Sequence, residues 1–274
     1  MRPSSRLVST IVLMGITDRQ PRWQVVLGAA ALALLVLPTI ALLTQAPWSD
    51  ALGLVTDSQS LQALRVSIVV SLGAAALATL FGIPLALVLT RTTSRAVSFL
   101  RTAVVIPLIL PPVATGVGLL AAFGRLGLTG RLFGFGLANT TLGAILASTV
   151  AAMPFLVLSV EGGLRDVDNG YCDVATGLGA TPNQKLWHVT LPLARRSILA
   201  GVVLAWARAL GEFGATITFA GNIEGVTRTL PLQIALSLEQ DRGQALVLSL
   251  LMIFISLVVL FALRRTWFHP IGAS

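Results

Sequence analysis

The sequence predicts an all-α fold, a polytopic membrane protein with about six transmembrane helices. Three observations predict it. Of 274 residues, 55% are hydrophobic and only 11% are charged, and the mean hydropathy is +0.87. A soluble domain averages about 45–50% apolar and about 25% charged residues. Six runs have the length of about 20 apolar residues that crosses about 30 Å of hydrocarbon. The basic residues gather in alternate connections between those runs, as they do on the cytoplasmic side of membrane proteins. So little charge cannot cover a soluble surface, which excludes a cytosolic enzyme, a disordered protein and a disulfide-stapled secreted domain. The formal net charge of +8 would suggest nucleic acid in a soluble protein; here it reads as topology, and no nucleic-acid partner is expected. One cysteine, Cys172, permits no intrachain disulfide, and with two histidines it leaves too few ligands for a His/Cys metal cluster.

The six runs are residues 23–43, 61–90, 102–123, 140–162, 197–220 and 245–263. The first is too long for a signal-peptide core and no small-residue cleavage site follows it, so it reads as a retained helix. The second is long enough to begin with an interfacial turn. With the N-terminus inside, the inner segments hold Arg2, Arg6, Arg19, Arg22, Arg91, Arg95, Arg101, Arg165, Lys185, Arg195, Arg196, Arg264 and Arg265. The outer loops hold Arg125, Arg131, Arg228 and Arg242, and the stretch 44–60 carries Asp50 and Asp57 without a basic residue. Thirteen against four predicts that both termini are cytoplasmic. The expected organisation is an N-terminal segment with the first span and external loop (1–60), a transmembrane body (61–265) and a short cytoplasmic tail (266–274).

Prolines interrupt several spans: Pro38, Pro84, Pro107, Pro111, Pro112 and Pro154. Proline removes a donor and clashes with the preceding turn. In lipid this is tolerated where protein or a water-filled cavity satisfies the freed groups. The run from Ile106 to Pro112 therefore reads either as an interrupted helix facing a path or as a packing kink. Arg208 and Glu212 lie four apart in the fifth run, on one helix face. They read as anion guidance along a pore or as a structural ion pair. An arginine tied to a glutamate presents little net charge to an anion, which favours the pair.

The connection 163–196 holds the clearest pattern. Tyr171, Val174, Ala175 and Leu178 follow i, i+3, i+4, i+7 spacing and form one apolar stripe of a short helix. Gly179 stands just past it, where a helix end takes a residue tolerant of positive φ. Thr181, Pro182 and Gln184 predict a second helix start with a capping box, and Leu186 and Val189 continue an apolar face to Leu191 and Pro192. Pro192 is expected to end that helix or open the next span. Asp166, Asp168 and Asp173 beside Lys185 argue against a headgroup-bound helix. A groove on a soluble partner suits the anchor spacing better.

Asp173-Val174-Ala175, three residues, Gly179, nine residues, Val189, one residue, Leu191-Pro192 resembles the loop signature of ABC importer permeases. There the pattern begins Glu-Ala-Ala and has Ile before the Leu-Pro pair, so Asp173, Val174 and Val189 are departures. The resemblance spans roughly residues 61–263. It implies that this cytoplasmic loop is a coupling helix inserted into an ATPase subunit, with Tyr171, Asp173, Val174, Ala175, Leu178, Gly179, Val189, Leu191 and Pro192 at the contact. Gly211-Glu212-Phe213-Gly214-Ala215-Thr216, then Phe219-Ala220-Gly221-Asn222 and Thr227-Arg228-Thr229-Leu230-Pro231-Leu232, resembles the molybdate-importer permeases. Sulfate and thiosulfate permeases share the Gly-Glu-Phe-Gly core and the later Gly-Asn, and are the alternative, as tungstate is for the cargo.

The chain has no Gly-rich phosphate loop ending in Gly-Lys-Ser/Thr, so it is not expected to bind ATP itself, and the resemblance implies a non-catalytic permease subunit. The resemblance implies two permease subunits, two cytoplasmic ATPases that hold ATP and Mg, and an external oxyanion-binding protein, in a bacterial or archaeal plasma membrane. With selection left mainly to the binding protein, the pore needs hydroxyls and backbone donors that do not trap a charged cargo. Thr115, Ser148, Thr149, Thr216 and Thr218 are candidates beside Arg208 and Glu212, although Ser and Thr in membrane helices often satisfy neighbouring carbonyls instead. Rival readings are an integral-membrane enzyme, for which His188 and His269 and the scattered acids form no cluster, and a passive channel, which needs no ATPase-docking loop.

Overall fold

The computed structural model describes residues 22–91 and 94–267. Arg2, Arg6, Arg19 and His269, and with them the ends expected in the cytoplasm, lie outside the described residues. The chain divides into two compact units, Met1–Ala46 and Pro47–Ser274. The first contains α1 (Arg22–Gln45), which keeps Pro38 in its interior. At 1.5 Å per residue its 24 residues extend about 36 Å, enough to cross hydrocarbon.

The second unit opens with the short α2 (Ala51–Thr56) and continues into α3 (Ser58–Arg91), whose 34 residues run about 51 Å. Helix α4 (Arg95–Ile109) starts on Ser94, whose hydroxyl accepts from the Val97 amide. It stops at Leu110, held extended (ψ 138°) as the residue before a proline prefers. Helix α5 (Pro112–Phe123) resumes beyond Pro111, followed by α6 (Leu128–Phe133). The 102–123 run is therefore two helices, whereas Pro84, Pro107 and Pro154 stay inside continuous ones. Next come α7 (Thr141–Arg165), capped by the Thr140 hydroxyl, and a hairpin of α8 (Asn169–Gly177), α9 (Pro182–Lys185), a π-helical turn (Leu186–Thr190) and α10 (Leu191–Leu193). Helix α11 (Arg195–Leu210) leaves at a bend of 70°. Residues 211–213 then break the expected 197–220 span before α12 (Gly214–Phe219). Helices α13 (Leu230–Gln240) and α14 (Arg242–Trp267) complete the fold. Among the described residues, five helices are long and apolar enough to cross a membrane, or six if the bent pair at 193–195 is one span.

The core is a seam of small residues where α3, α7 and α11 meet: Ala74, Ala78 and Ala86 against Ala152, Leu156, Val160, Ala205 and Ala209. Small side chains let membrane helices approach closely, which is how they associate without a hydrophobic drive from water. Gly73 lies against Ile145 and Gly82 against Leu156, so α3 and α7 run side by side in one direction. Gly163 meets Ser197 and Gly201 meets Leu156, so α11 runs back the other way. Buried Ser60, Ser67 and Ser71 of α3 add polar links. Their hydroxyls accept from Gln244 Nε2 of α14 (3.2 Å), the Leu230 amide of α13 (2.6 Å) and Trp206 Nε1 of α11 (3.1 Å). This arrangement puts Arg95, Arg101, Arg165, Lys185, Arg195 and Arg196 at the end where α3 and α7 finish. Arg125, Arg131, Arg228 and Arg242 lie at the opposite end. The members of the two charge groups named here thus lie at opposite poles of this unit.

Candidate functional site: a docking hairpin and two broken spans

The hairpin follows its local sequence closely. Asp168 caps α8 by accepting the Gly170 amide at 2.8 Å. At the other end Gly179 has φ +82°, its amide reaches Thr176 O at 2.9 Å, and the Ala180 amide reaches Ala175 O at 3.0 Å. That pair of bonds is a Schellman motif, and it needs a residue at ease in the left-handed region. The capping box forms as expected, with Thr181 Oγ1 accepting the Gln184 amide and Gln184 Oε1 accepting the Thr181 amide at 2.8 Å. Pro192 does not stop the helix. The backbone widens into a π turn, with the Leu191 amide reaching Leu186 O, and the direction changes two residues beyond Pro192, at Ala194. A missing proline donor upsets the α ladder one turn back, and a π turn is one way of absorbing it.

The stripe faces outward. Tyr171, Val174 and Leu178 are 59%, 65% and 82% exposed. Ala175 is half-buried instead of fully presented, Asp173, Gly179 and Pro192 are exposed, and Val189 and Leu191 are half-buried. Trp187, which the spacing did not single out, adds another exposed aromatic. The opposite side of the hairpin leans on the bundle, where Cys172 Sγ is 3.9 Å from Thr190 Oγ1. Leu87, Thr90, Leu164, Val167, Lys185 and Pro182 help line a cleft there of about 470 Å³. An apolar face held out to water by capped helix ends suits docking on a soluble partner.

The second feature is a meeting of interruptions. Gly214, which opens α12, abuts Pro112, which opens α5; a Cβ on Gly214 would stand 2.6 Å from the Pro112 Cβ. One turn on, Gly116 abuts Thr218. The breaks at 110–111 and 211–213 are thereby stacked. Glu212 lies in one of them, with its side chain 1% exposed. Its Oε1 accepts the Ala215 amide at 2.8 Å, and its Oε2 pairs with Arg208 Nη1 without hydrogen-bond alignment. Arg208 thus sits on the negative end of α11 and Glu212 on the positive end of α12, each offsetting a helix dipole. Of the hydroxyl candidates, Thr149 and Thr218 bond back to Ile145 O (2.7 Å) and Gly214 O (2.8 Å), the ordinary use of such residues. Thr115 is half-buried on α5. Ser148 Oγ and Thr216 Oγ1 are buried without a hydrogen-bond partner among the described residues. Sequence reasoning passed over Glu161, a buried carboxylate held by Arg101 and Arg165. The available signal was a glutamate at the end of an apolar run, four residues before an arginine.

Residues 78–270 match the family described as binding-protein-dependent transport system inner membrane component. The chain belongs to that family. The match contains the hairpin signature and both broken spans. Among relatives of this inner membrane component, the molybdenum transport system permease protein ModB of Mycobacterium tuberculosis is 44% identical over 258 residues, covering 93% of this chain and 97% of the relative. Its namesake from Escherichia coli is 38% identical over 215 residues, covering 77% and 94%. The membrane subunits of solved ABC transporters share the fold. The methionine transporter MetNI in an inward-facing form superposes with a TM-score of 0.59 at 18% identity, covering 75% of this chain and 93% of that one. A bacterial importer of alginate superposes with a TM-score of 0.56 at 16% identity, covering 90% and 97%.

Proposed function

We propose that this chain is the membrane-spanning permease subunit of an ATP-driven importer for molybdate, and that it forms the translocation pathway. The 44% identity to a molybdenum permease over 97% of that relative's length carries the reading. Two copies of the chain pair across the pathway, with both termini in the cytoplasm. Two separate ATPase subunits hold ATP and Mg and supply hydrolysis, so this chain is not itself catalytic. An external binding protein selects the oxyanion.

Each step has a residue to perform it. The exposed Tyr171, Val174 and Leu178, with Val189, Leu191 and Pro192 behind them, seat the hairpin in the ATPase, and Gly179 fixes its turn. ATP-driven closure of the ATPases displaces the two hairpins and changes which side of the membrane the pathway faces. Ser148 and Thr216 offer hydroxyl donors to the passing anion; Thr115, Thr149 and Thr218 line it more passively. Arg208, already tied to Glu212, keeps the path from becoming a cationic trap, since conduction needs sites weak enough to leave.

The test is ATP hydrolysis by the reconstituted complex when given binding protein loaded with molybdate, tungstate, sulfate or thiosulfate. Stimulation and uptake with molybdate are expected. Stimulation by sulfate or thiosulfate alone would move the chain to the sulfate group, and uptake without ATP would make it a passive channel.

A further inference from the structure

Helix α7 ends in a buried carboxylate that neither the docking face nor the pathway uses. Glu161 has a side chain 5% exposed, and its Oε1 accepts from Arg101 Nε at 2.8 Å and from Arg165 Nη2 at 2.7 Å. Arg101 comes from the second turn of α4. Its Nη2 also donates to Leu89 O, in the last turn of α3, at 3.1 Å. The final carbonyls of a helix have no partner within it, and a cation there opposes the negative end of the dipole. One guanidinium therefore fastens α3, α4 and α7 together.

Helix α4 has few other fastenings. Val97 is its one buried residue among those described, and Val104 packs partly against the same core. Apolar contacts of this kind permit sliding. A buried carboxylate resists separation from its guanidinium, because parting them strands a charge in apolar surroundings. The positions of the two ends matter. Glu161 stands one turn before Arg165 and the start of the hairpin, while α4 runs on to the extended Leu110–Pro111 break. That break is stacked against α12.

We infer that Glu161 and Arg101 are positioning residues for transport. They oblige α4 to follow α7 when the hairpin is moved, so that a displacement at the ATPase face reaches the break at Leu110–Pro111. The inference rests on the permease reading above. It places the link one turn before the hairpin, on a buried carboxylate rather than on the exposed docking stripe.

The experiment uses the reconstituted complex with ATPase and molybdate-loaded binding protein. Spin labels are introduced through Ser98→Cys on α4 and Leu158→Cys on α7 in a Cys172→Ser background. In the otherwise unsubstituted complex the distance between labels stays the same with and without ATP. In Glu161→Gln it differs between the two states, and molybdate taken up per ATP hydrolysed falls roughly tenfold, within the span typical of coupling between two sites. Glu161→Asp retains both properties. Arg101→Gln repeats the loss, since it leaves Glu161 held by Arg165 alone. A merely structural role would lower complex yield and melting temperature without changing the ratio of uptake to hydrolysis. Unchanged distance and unchanged uptake per ATP in Glu161→Gln overturn the inference, as does failure of both Gln variants to assemble. Absence of ATP-dependent uptake in the unsubstituted complex is a different result, and it removes the permease reading itself.

Discussion

Replacement of Gly179 separates two physical effects that usually travel together. Its φ of +82° is in the left-handed region, and a Cβ built on it meets nothing within 4 Å. Within this chain a side chain there is penalised by backbone conformation alone. For alanine that is about 1–2 kcal/mol, which corresponds to roughly a 5- to 30-fold loss in the population of the docking conformation. Valine, β-branched and so a genuine outlier at positive φ, loses more. Asparagine tolerates the region and loses least. The expected order of ATPase affinity is Gly, then Asn, then Ala, then Val, with all three variants, like the unsubstituted protein, inserted in the membrane. Titrating the ATPase subunit against purified permease, alongside molybdate uptake, reads that order directly. Asparagine is larger than alanine, so Asn binding worse than Ala would mean that crowding by the partner, not φ, governs the position. Equal binding and transport by all four would mean that the hairpin is not the coupling element.

Four further outcomes are expected. Ala175→Glu places a charge on the hairpin's inner edge at the contact, and the permease should remain in the membrane yet lose the ATPase on co-purification. Arg208→Gln leaves the buried Glu212 carboxylate with only the Ala215 amide and should destabilise more than Glu212→Gln, which leaves a partly exposed arginine; breaking a buried pair costs at most about 3–5 kcal/mol. The double change should cost less than the sum, and a thermal double-mutant cycle without coupling energy would discard the pair. Gly214→Ala drives a methyl into Pro112 and should cost about 1–3 kcal/mol as overpacking, seen as a lower melting temperature; an unchanged one would mean the two breaks are not stacked. Reporter fusions after Ser60 and Asn139 should read external and those at Arg95 and Asn183 internal, and an external signal at Asn183 would invert the topology.

Local chemistry was legible where it is local. The turn at Gly179, the Thr181–Gln184 box and the exposed stripe follow from side chains within a few residues of one another, and the structure holds them as the spacing implies. The break at Leu110–Pro111 was visible because proline constrains the residue before it. The break at 211–213 was not, since an apolar run records composition and not continuity. The π turn before Pro192 was also hidden, because a proline signals disruption without saying how the backbone absorbs it. Ala175 shares its neighbours' periodicity, but its exposure depends on the bundle behind it. The link from Arg101 to Glu161 joins residues 60 apart, and no periodicity within either helix encodes it.

The three serines of α3 have a bearing on how the protein is made. Ser60, Ser67 and Ser71 emerge from the ribosome well before the groups they accept from, which belong to residues 206, 230 and 244. Until those arrive, the hydroxyls depend on their own helix, and Ser71 still keeps such a bond, to Ile68 O at 3.3 Å. Helix α3 is therefore a template that waits, its polar sockets filled one at a time as translation proceeds: first from α11, then from the start of α13, and finally from α14. A nascent chain halted before residue 206 carries all three serines without their donors from the later helices.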